Sequence, residues 1–215
     1  MAVSAACTRS CSTPWRRVAE LPLFPLRTVL FPGGLLPLRI FEPRYVDMVG
    51  RCMREGGEFG VSCLRTGNET GPAGQLASVG SAARIVDFSQ LPEGLLGLMC
   101  RGTRRFRLLG SRTQADGLRI GEVEWLPQLP PVAVPAEHQA LVPILQGVLA
   151  QLGELAAHLE PHWDEAGWVA DRLAEFLPLE RESQQQLLEM DDPLERLGLL
   201  APLVDTAGAD VLPGN

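Results

Sequence analysis

A proline-rich segment constrains the fold of this 215-residue protein more than any other feature of its sequence. Residues 125–135 read Trp-Leu-Pro-Gln-Leu-Pro-Pro-Val-Ala-Val-Pro, and four prolines in eleven residues can continue neither a helix nor a strand ladder. Apolar residues form short strand-like runs before this segment and recur at helical spacing after it. The sequence therefore predicts a flexible tail at 1–19, a β module at 20–128, a proline-rich linker at 129–135, a helical module at 136–204 and a second flexible tail at 205–215.

The β module contains short segments with the period-two alternation of strands. Residues 59–63 alternate apolar residues with glycine and serine, which is typical of a half-buried strand. Residues 95–100 predict a second strand, and a third follows where Phe106 and Leu108 alternate with arginines. A helix is predicted between Pro43, which suits a first helical position, and the glycine pair that begins at Gly56. Its apolar face is predicted from residues at helical spacing, namely Tyr45, Met48, Val49, Cys52 and Met53.

The last strand of the β module changes its apolar phase. Leu118 and Ile120 share one parity, whereas Val123 and Trp125 have the other. Because side chains alternate strictly between the two faces of a strand, such a change requires an inserted residue. We therefore predict a β-bulge at Gly121, a bend that lets a small sheet curl into a barrel.

The helical module shows a series of apolar stripes with the spacing of helix faces, which predicts a small helical bundle. At the start of the last stripe, Asp192, Pro193 and Glu195 place an N-cap residue, a first-turn proline and a capping-box glutamate in order. The stripes consist of Leu141, Ile144, Leu145, Val148, Leu152, Leu155 and Leu159; of Ala166, Val169, Ala170, Leu173, Phe176 and Leu177; of Leu187 and Leu188; and of Leu194, Leu197, Leu200 and Val204.

The sequence contains no lysine, since all 19 of its basic residues are arginine. This absence excludes the phosphate-binding lysine of P-loop NTPases, the Schiff-base lysine of pyridoxal enzymes and the catalytic lysine of Ser-Lys hydrolases. The sequence also lacks a Gly-x-Ser-x-Gly elbow and a glycine-rich phosphate loop between a strand and a helix. We therefore predict a protein that is not an enzyme, with no catalytic residue and no cofactor.

Histidines and cysteines show no metal-binding or nucleophilic pattern. His158 and His162 have the i, i+4 spacing of paired helical ligands, but Pro161 disfavours a helix between them. The five cysteines are few, odd in number and scattered, which indicates a reducing compartment. Cys52 and Cys63 lie on apolar faces, where buried and unreactive thiols are expected.

Without a secretory signal or an apolar run that could span a membrane, the sequence predicts a cytoplasmic, metal-free protein with no membrane partner.

The two modules differ in charge. Residues 1–128 hold 16 arginines against 11 acidic residues, whereas residues 129–215 hold 3 against 15. One acid-free strand segment carries Arg101, Arg104, Arg105, Arg107 and Arg112. These arginines suit either a phosphate-binding patch for nucleic acid or a solvated strand face, and we favour the solvated face. The segment contains one aromatic residue, so no stacking platform for bases is evident.

The sequence resembles the N-terminal domain of Lon proteases. The resemblance begins with Leu21-Pro-Leu-Phe-Pro-Leu-Arg-Thr-Val-Leu-Phe-Pro-Gly33 and Leu36-Pro-Leu-Arg-Ile-Phe-Glu-Pro-Arg-Tyr45. It continues through Gly102-x-x-Arg105-Phe-Arg107 and reaches the helical module in Gln186-Leu-Leu-Glu-Met-Asp-Asp-Pro-Leu-Glu-Arg196-Leu. It spans residues 20–204 in the family's order.

This resemblance implies an α+β protein in which a PUA-like β-barrel precedes a helical bundle. In Lon proteases this region helps to recognise and tether substrates, whereas separate ATPase and Ser-Lys protease domains supply the catalysis. A lysine-free protein can supply neither active site. The sequence therefore predicts a free-standing, non-catalytic substrate-recognition module related to the peptidase S16 family.

Two binding functions are compatible with this resemblance. The favoured one is the binding of unfolded or apolar polypeptide segments in a groove between the modules, as an adaptor for a separate protease or chaperone. Trp125, Trp163 and Trp168 are the candidate groove residues, and ordinary packing between the modules is the alternative role of each. The other function is RNA binding by the barrel through the arginines of residues 101–107, which the acidic helical module disfavours.

Overall fold

The structure is a computed structural model that describes residues 18–67, 74–91 and 95–211. The β module contains the strands and one helix, and the helical module contains the remaining helices, so the protein has the predicted α+β fold. The elements in sequence order are β1 (Val18–Leu26), β2 (Leu35–Ile40), α1 (Pro43–Glu55), β3 (Phe59–Cys63), β4 (Val79–Gln90), β5 (Leu96–Thr113), β6 (Arg119–Trp125), a 3-10 turn (Ala136–His138), α2 (Leu141–Ala150), a second 3-10 turn (Gly153–His158), α3 (Ala166–Phe176), α4 (Arg181–Glu189) and α5 (Pro193–Val211).

The six strands form one mixed sheet in the order β2-β5-β4-β3-β1-β6, and β6 also pairs with β5. β1 and β3 are parallel, whereas the other neighbours are antiparallel. The strand β5 joins the two segments that were predicted as separate strands. It pairs with β2 along its first part and with β6 along its last part. The pairings of β5, β4, β3, β1 and β6 therefore close on themselves, and we call these five strands the strand ring.

The interior of the strand ring is filled by a cluster of apolar side chains and bordered by glycines. A Cβ atom on Gly60 would lie 2.7 Å from Leu23 Cδ2, and one on Gly80 would lie 2.6 Å from Phe106 Cζ. These glycines make room for larger neighbours, and β3, which was predicted to be half-buried, is buried on both faces. The buried residues of the cluster are Leu21, Leu23, Ala82, Phe106 and Val123.

The phase change in β6 occurs without a bulge at Gly121, so that prediction was wrong. β6 pairs with β1 in unbroken register through Gly121. The irregularity lies on the neighbouring strand β5, where Leu109 is the extra residue opposite β6. β6 changes its buried face because Ile120 packs into the cluster beneath α1, whereas Val123 belongs to the interior of the ring.

Helix α1 covers the face of the sheet opposite the ring interior. Its apolar face buries Tyr45, Met48 and Cys52 as predicted, and the ring of Tyr45 stacks on Phe24 with centroids 4.1 Å apart. Met53 was predicted on the same face but is exposed. The helix ends at the predicted glycine pair.

The first stripe of the helical module is not a single helix. α2 ends at Ala150, and Gly153, the first residue of the second 3-10 turn, adopts a φ of 56°, a left-handed conformation that favours glycine. The start of α5 confirms the predicted N-cap, because Asp192 Oδ1 accepts a hydrogen bond of 2.8 Å from the Leu194 amide. α5 then continues to Val211, into the segment for which a tail was predicted. None of the described helices is long and apolar enough to cross a membrane.

The two modules share one core. The cluster that holds the leucines of α2, α4 and α5 also contains five buried residues of the β module. Burial of these residues is favourable only while both modules are in contact, so the modules stabilise one another. The five are Val29, Phe31, Cys63, Ala77 and Val79.

Two strand edges face a small cavity of about 190 Å³ without pairing with another described strand there. One is the end of β1, which pairs on that stretch with β3 alone. The other is the edge of β2 that points away from β5. Pro25 stands on the first edge and Pro37 on the second, so each edge lacks an amide donor at that position.

Candidate functional site

A groove of about 500 Å³ lies between the β module and the helical module. The proline-rich linker forms one wall, and β5 and the turn at Pro32 and Gly33 form part of the opposite side. The helical module contributes Trp168 and the first turn of α5. Its lining is mixed, because apolar linker residues face arginine and carboxylate side chains. We call this feature the junction groove.

The linker wall is held in place at both of its ends. The Leu126 amide donates a hydrogen bond of 3.1 Å to the Arg105 carbonyl at the end that leaves the strand ring. At the other end, the Val132 carbonyl accepts a bond of 2.7 Å from the Ala166 amide, and the Val134 amide donates to the Asp164 carbonyl at 3.0 Å. Prolines restrict the backbone between these points, so the wall is an ordered, extended surface.

Of the three candidate tryptophans, Trp168 lines the junction groove. Trp163 packs edge to face against Trp168, with ring centroids 4.9 Å apart, and contacts the shared core. Trp125 packs edge to face against Phe106 of the strand ring and is not part of the groove lining. Neither Trp163 nor Trp125 therefore lines the groove: Trp163 packs against Trp168, and Trp125 packs within the β module.

Two arginines of β5 cross from the β module to the helical module. Arg105 donates hydrogen bonds of 2.8 Å to the carbonyls of Leu188 and Met190 and one of 2.7 Å to Asp191 Oδ1. Arg101 binds the Glu160 carboxylate and the His158 carbonyl. The favoured prediction of a solvated strand face was wrong for both residues. The hydrogen bond from Arg101 lowers the pKa of Glu160.

The other arginines of the segment have different surroundings. The Arg104 guanidinium lies 3.5 Å from the centroid of the Trp125 ring and also borders the junction groove. Arg112 forms an exposed ion pair with Glu20. Arg107 is exposed and is not among the residues that line the groove. Three of the four candidate nucleic-acid residues thus line the same groove as Trp168.

A buried ion pair lies along the helical side of the junction groove. Arg196 of α5 donates to the Asp171 carboxylate of α3, and both side chains are almost completely buried. Burial raises the pKa of Asp171, while the positive charge of Arg196 opposes that shift. The pair joins α3 to α5 beneath the groove.

Arg172 anchors the turn between β1 and β2. Its side chain is completely buried, and Nη2 donates 2.8 Å to the Pro32 carbonyl and 3.1 Å to Glu175 Oε1. On the other side of the turn, the Gly33 amide, at a φ of 74°, donates 2.8 Å to the Gly102 carbonyl. The turn that carries the sequence resemblance is therefore clamped between β5 and α3, and burial raises the pKa of Glu175 to about 8.

The buried charges of α3 and α5 were not predicted from the sequence. Arg172 lies three residues after Val169 and four residues before Phe176, at the edge of the apolar stripe of α3. A charged residue that flanks such a stripe is a signal for a buried, partnered group. That signal was present, although nothing in the sequence identified Pro32 as the partner.

The described residues show no nucleophilic thiol and no metal cluster. Cys52, Cys63 and Cys100 are buried, and burial raises the pKa of Cys100 to about 12. No group of three or more histidine, cysteine or acidic side chains is arranged for a metal in this part of the protein. Cys7 and Cys11 lie outside the described residues.

Comparison with known proteins assigns the fold to a family. A family model described as "ATP-dependent protease La (LON) substrate-binding domain" matches residues 20–206. The chain belongs to the Lon substrate-binding domain family. It is 30% identical over 194 residues to the Lon protease of Anaeromyxobacter dehalogenans, covering 87% of this chain and 23% of that protein. Lon protease 2 of Myxococcus xanthus is also 30% identical, over 192 residues and 23% of its length.

Two solved structures of Lon N-terminal domains have the same fold. A Lon N-terminal domain protein from Xanthomonas campestris is 40% identical with a TM-score of 0.71, covering 86% of this chain and 98% of that one. The N-terminal domain of a Mycobacterium avium complex Lon protease superposes with a TM-score of 0.60 at 20% identity over 87% of this chain and 98% of that one, which supports the fold alone. The chain thus spans about a quarter of the length of the Lon proteases that it matches, and the matched part is the substrate-binding domain.

Proposed function

We propose that this protein is a non-catalytic Lon-type substrate-recognition module that binds unfolded or apolar polypeptide segments in the junction groove. The observation that carries the proposal is the groove itself, an ordered cleft at the meeting point of the two modules of a substrate-binding domain. We further propose that the strand ring is a PUA-like barrel and that the protein is cytoplasmic. It would act there as an adaptor for a separate protease or chaperone.

The proline-rich wall suits an extended, unstructured ligand. Leu129 and Val132 expose 52% and 40% of their surface on this wall, which leaves apolar area available for a ligand to cover. Because the wall is restrained by its prolines and by its end contacts, it loses little conformational entropy on binding. Trp168 borders the groove on the side of the helical module, but it is 8% exposed and belongs to the shared core.

The RNA alternative has weaker support. Arg101 and Arg105 already bind carboxylates and carbonyls of the helical module, and Arg104 lies over Trp125. Phosphates would have to displace these contacts close to an acidic module. A phosphate-binding strand face also needs several free arginines, whereas Arg107 is the exposed residue of the four candidates.

Fluorescence anisotropy with a labelled, permanently unfolded protein and with single-stranded RNA tests the proposal across a salt series. We expect the unfolded protein to bind with weak salt dependence, because burial of apolar surface is not screened by ions. Leu129→Ser and Val132→Ser together should weaken this binding about tenfold, since each removes apolar contact area from the wall.

The matched control is Leu199→Ser, a substitution at an equally exposed leucine on α5 outside the groove lining. It should leave the affinity for the unfolded protein unchanged. RNA binding with a log K slope of about −0.7 per neutralised phosphate, together with no binding of the unfolded protein, would favour the alternative. An equal loss of affinity in the Leu199→Ser variant would place the binding surface elsewhere.

A further inference from the structure

Residues 1–17 precede Val18, the first residue that the structure describes, and they join the fold beside the junction groove. Val18 pairs with Glu124 of β6, and the linker wall begins two residues after that glutamate, at Leu126. β1 lies on one side of β6 and β5 on the other, so the segment has to cross the width of one strand, about 5 Å, to enter the groove. An extended polypeptide of 17 residues spans up to about 55 Å. The groove is therefore within easy reach of this segment.

The composition of residues 1–17 matches the kind of ligand that we propose for the groove. The segment contains Arg9, Arg16 and Arg17 and no acidic residue, which gives it a net charge of +3. Trp15 stands directly before the arginine pair. A tryptophan side chain removes about 150–250 Å² from solvent when it is covered, so it is a strong anchor for an apolar wall.

The charge that faces solvent in the groove is mainly negative. Arg101 binds Glu160 through Oε1, and Arg105 binds Asp191 through Oδ1. Both carboxylates are largely exposed, whereas the two arginine side chains are mostly buried. No described residue donates a hydrogen bond to the second oxygen of either carboxylate. Arg101 also lowers the pKa of Glu160, so that group stays charged at neutral pH.

The other arginines of the groove do not reverse this balance. Arg196 is buried against Asp171. Arg104 is partly exposed, but it lies over the Trp125 ring and 3.5 Å from Glu58 Oε2. The helical module that forms one side of the groove has 3 arginines against 15 acidic residues. A basic segment that carries one aromatic side chain is thus complementary to the groove in charge and in its apolar part.

We propose that residues 1–17 are an intramolecular occupant of the junction groove, with Trp15 on the linker wall and Arg16 and Arg17 beside the exposed carboxylates. The segment then competes with the polypeptides that the groove binds. Only this competition rests on the proposed function, because occupancy by the segment can be measured without a ligand. Tethering gives the segment an effective concentration of about 1 mM. A contact with an intrinsic dissociation constant of about 0.1 mM would therefore fill the groove most of the time and weaken ligand binding about tenfold.

Two variants with the same change in net charge test this occupancy. In the segment variant, Trp15→Ser, Arg16→Gln and Arg17→Gln remove the aromatic side chain and two of the three positive charges. In the control variant, Arg51→Gln and Arg54→Gln remove two exposed charges from α1, outside the groove lining. The first three positions precede the described fold and the other two are exposed, so neither variant removes a side chain from the described core.

Amide resonances of the linker wall report occupancy without any ligand. We expect the signals of Leu129 and Val132 to shift between the unmodified protein and the segment variant, because the segment no longer covers the wall. The signal of Leu199, outside the groove lining, should stay in place, and none of the three should shift in the control variant. A synthetic peptide of residues 1–17, added to the segment variant, should move the two wall signals back towards their original positions.

Fluorescence anisotropy with the labelled unfolded protein then measures the competition. We expect the segment variant to bind the unfolded protein about tenfold more tightly than the unmodified protein does, because its groove is open more often. The control variant should bind with the affinity of the unmodified protein. The synthetic peptide should compete with the unfolded protein for the segment variant.

The outcomes separate the occupant from the wider proposal. If the wall signals are the same in the unmodified protein and in the segment variant, residues 1–17 do not occupy the groove and the inference is wrong, whatever the unfolded protein does. If the wall signals shift but no variant binds the unfolded protein, the segment occupies the groove and polypeptide recognition fails. An equal gain in affinity in the control variant would show that net charge sets the affinity, and it would overturn the competition.

Discussion

The strand ring and the junction between the modules are both buried, but different chemistry holds them together. The interior of the ring is apolar, and glycines border it where large side chains need room. At the junction, arginines on β5 and α3 cross the boundary and donate to backbone carbonyls and carboxylates. Volume therefore limits what the ring tolerates, whereas the junction depends on matched donors and acceptors.

A large apolar side chain of the β module is buried at the junction. Phe31 belongs to the β module but is completely buried in the core of the helical module. We expect Phe31→Ala to reduce the free energy of unfolding by about 4 kcal/mol, through the lost transfer energy and the cavity left behind. Chemical denaturation followed by circular dichroism and tryptophan fluorescence measures this loss.

Phe41→Ala provides the control for that measurement. Phe41 is 63% exposed, so its removal should change the free energy of unfolding by no more than about 0.5 kcal/mol. Both variants should unfold in one transition with coincident probes, because the modules share a core. Two separate transitions in the unmodified protein would show that ring and junction are independent units.

Volume limits in the ring can be tested at Gly121. A Cβ atom there would lie 2.8 Å from Leu23 Cδ1 and 2.9 Å from Leu108 Cδ1. Gly121→Val should therefore lower the free energy of unfolding by about 2 kcal/mol through overpacking. Gly110→Val is the matched control in the same sheet, since a Cβ atom on Gly110 meets nothing within 4 Å. Equal stability losses in the two variants would contradict a volume-limited interior.

Donor matching at the junction can be tested by comparing two arginines of β5. Arg105→Met removes three hydrogen bonds and leaves buried acceptors, so we expect the free energy of unfolding to fall by about 1.5 kcal/mol. Arg112→Met removes an exposed ion pair and should have no measurable effect on stability. Thermal denaturation of both variants in low and high salt is the measurement. If Arg112→Met proves the more destabilising, the arginines do not hold the modules together.

Sequence patterns predicted the ring better than the junction for a physical reason. Strand alternation, the Pro43 helix start and the Asp192 cap are local signals that can be read within a few residues. At the junction, Arg105 and Arg172 bind the carbonyls of residues far away in the sequence, and a backbone carbonyl has no sequence signature. The charge difference between the modules could be seen in the sequence. Part of it forms ion pairs between the modules, since Arg101 binds Glu160 and Arg105 binds Asp191.

The candidate site shows the same limit. Trp168, Arg101 and Arg105 were singled out from the sequence and all line the junction groove. From the sequence, Trp168 was a candidate for polypeptide binding and the two arginines were candidates for RNA binding. No local pattern shows that β5 and α3 lie on the same groove. Trp125, Trp163 and Trp168 look alike as candidates in the sequence, and only their tertiary contacts show which of them lines the groove.

The prolines on the two open strand edges affect how this protein can meet other polypeptides. Extended polypeptides readily add to an uncovered sheet edge, and such addition is a common route to aggregation. Pro25 and Pro37 each remove a donor that an added strand would need. A protein that handles unfolded polypeptides, as we propose for this one, can then hold them through the side chains of its groove without offering them a template on which to stack.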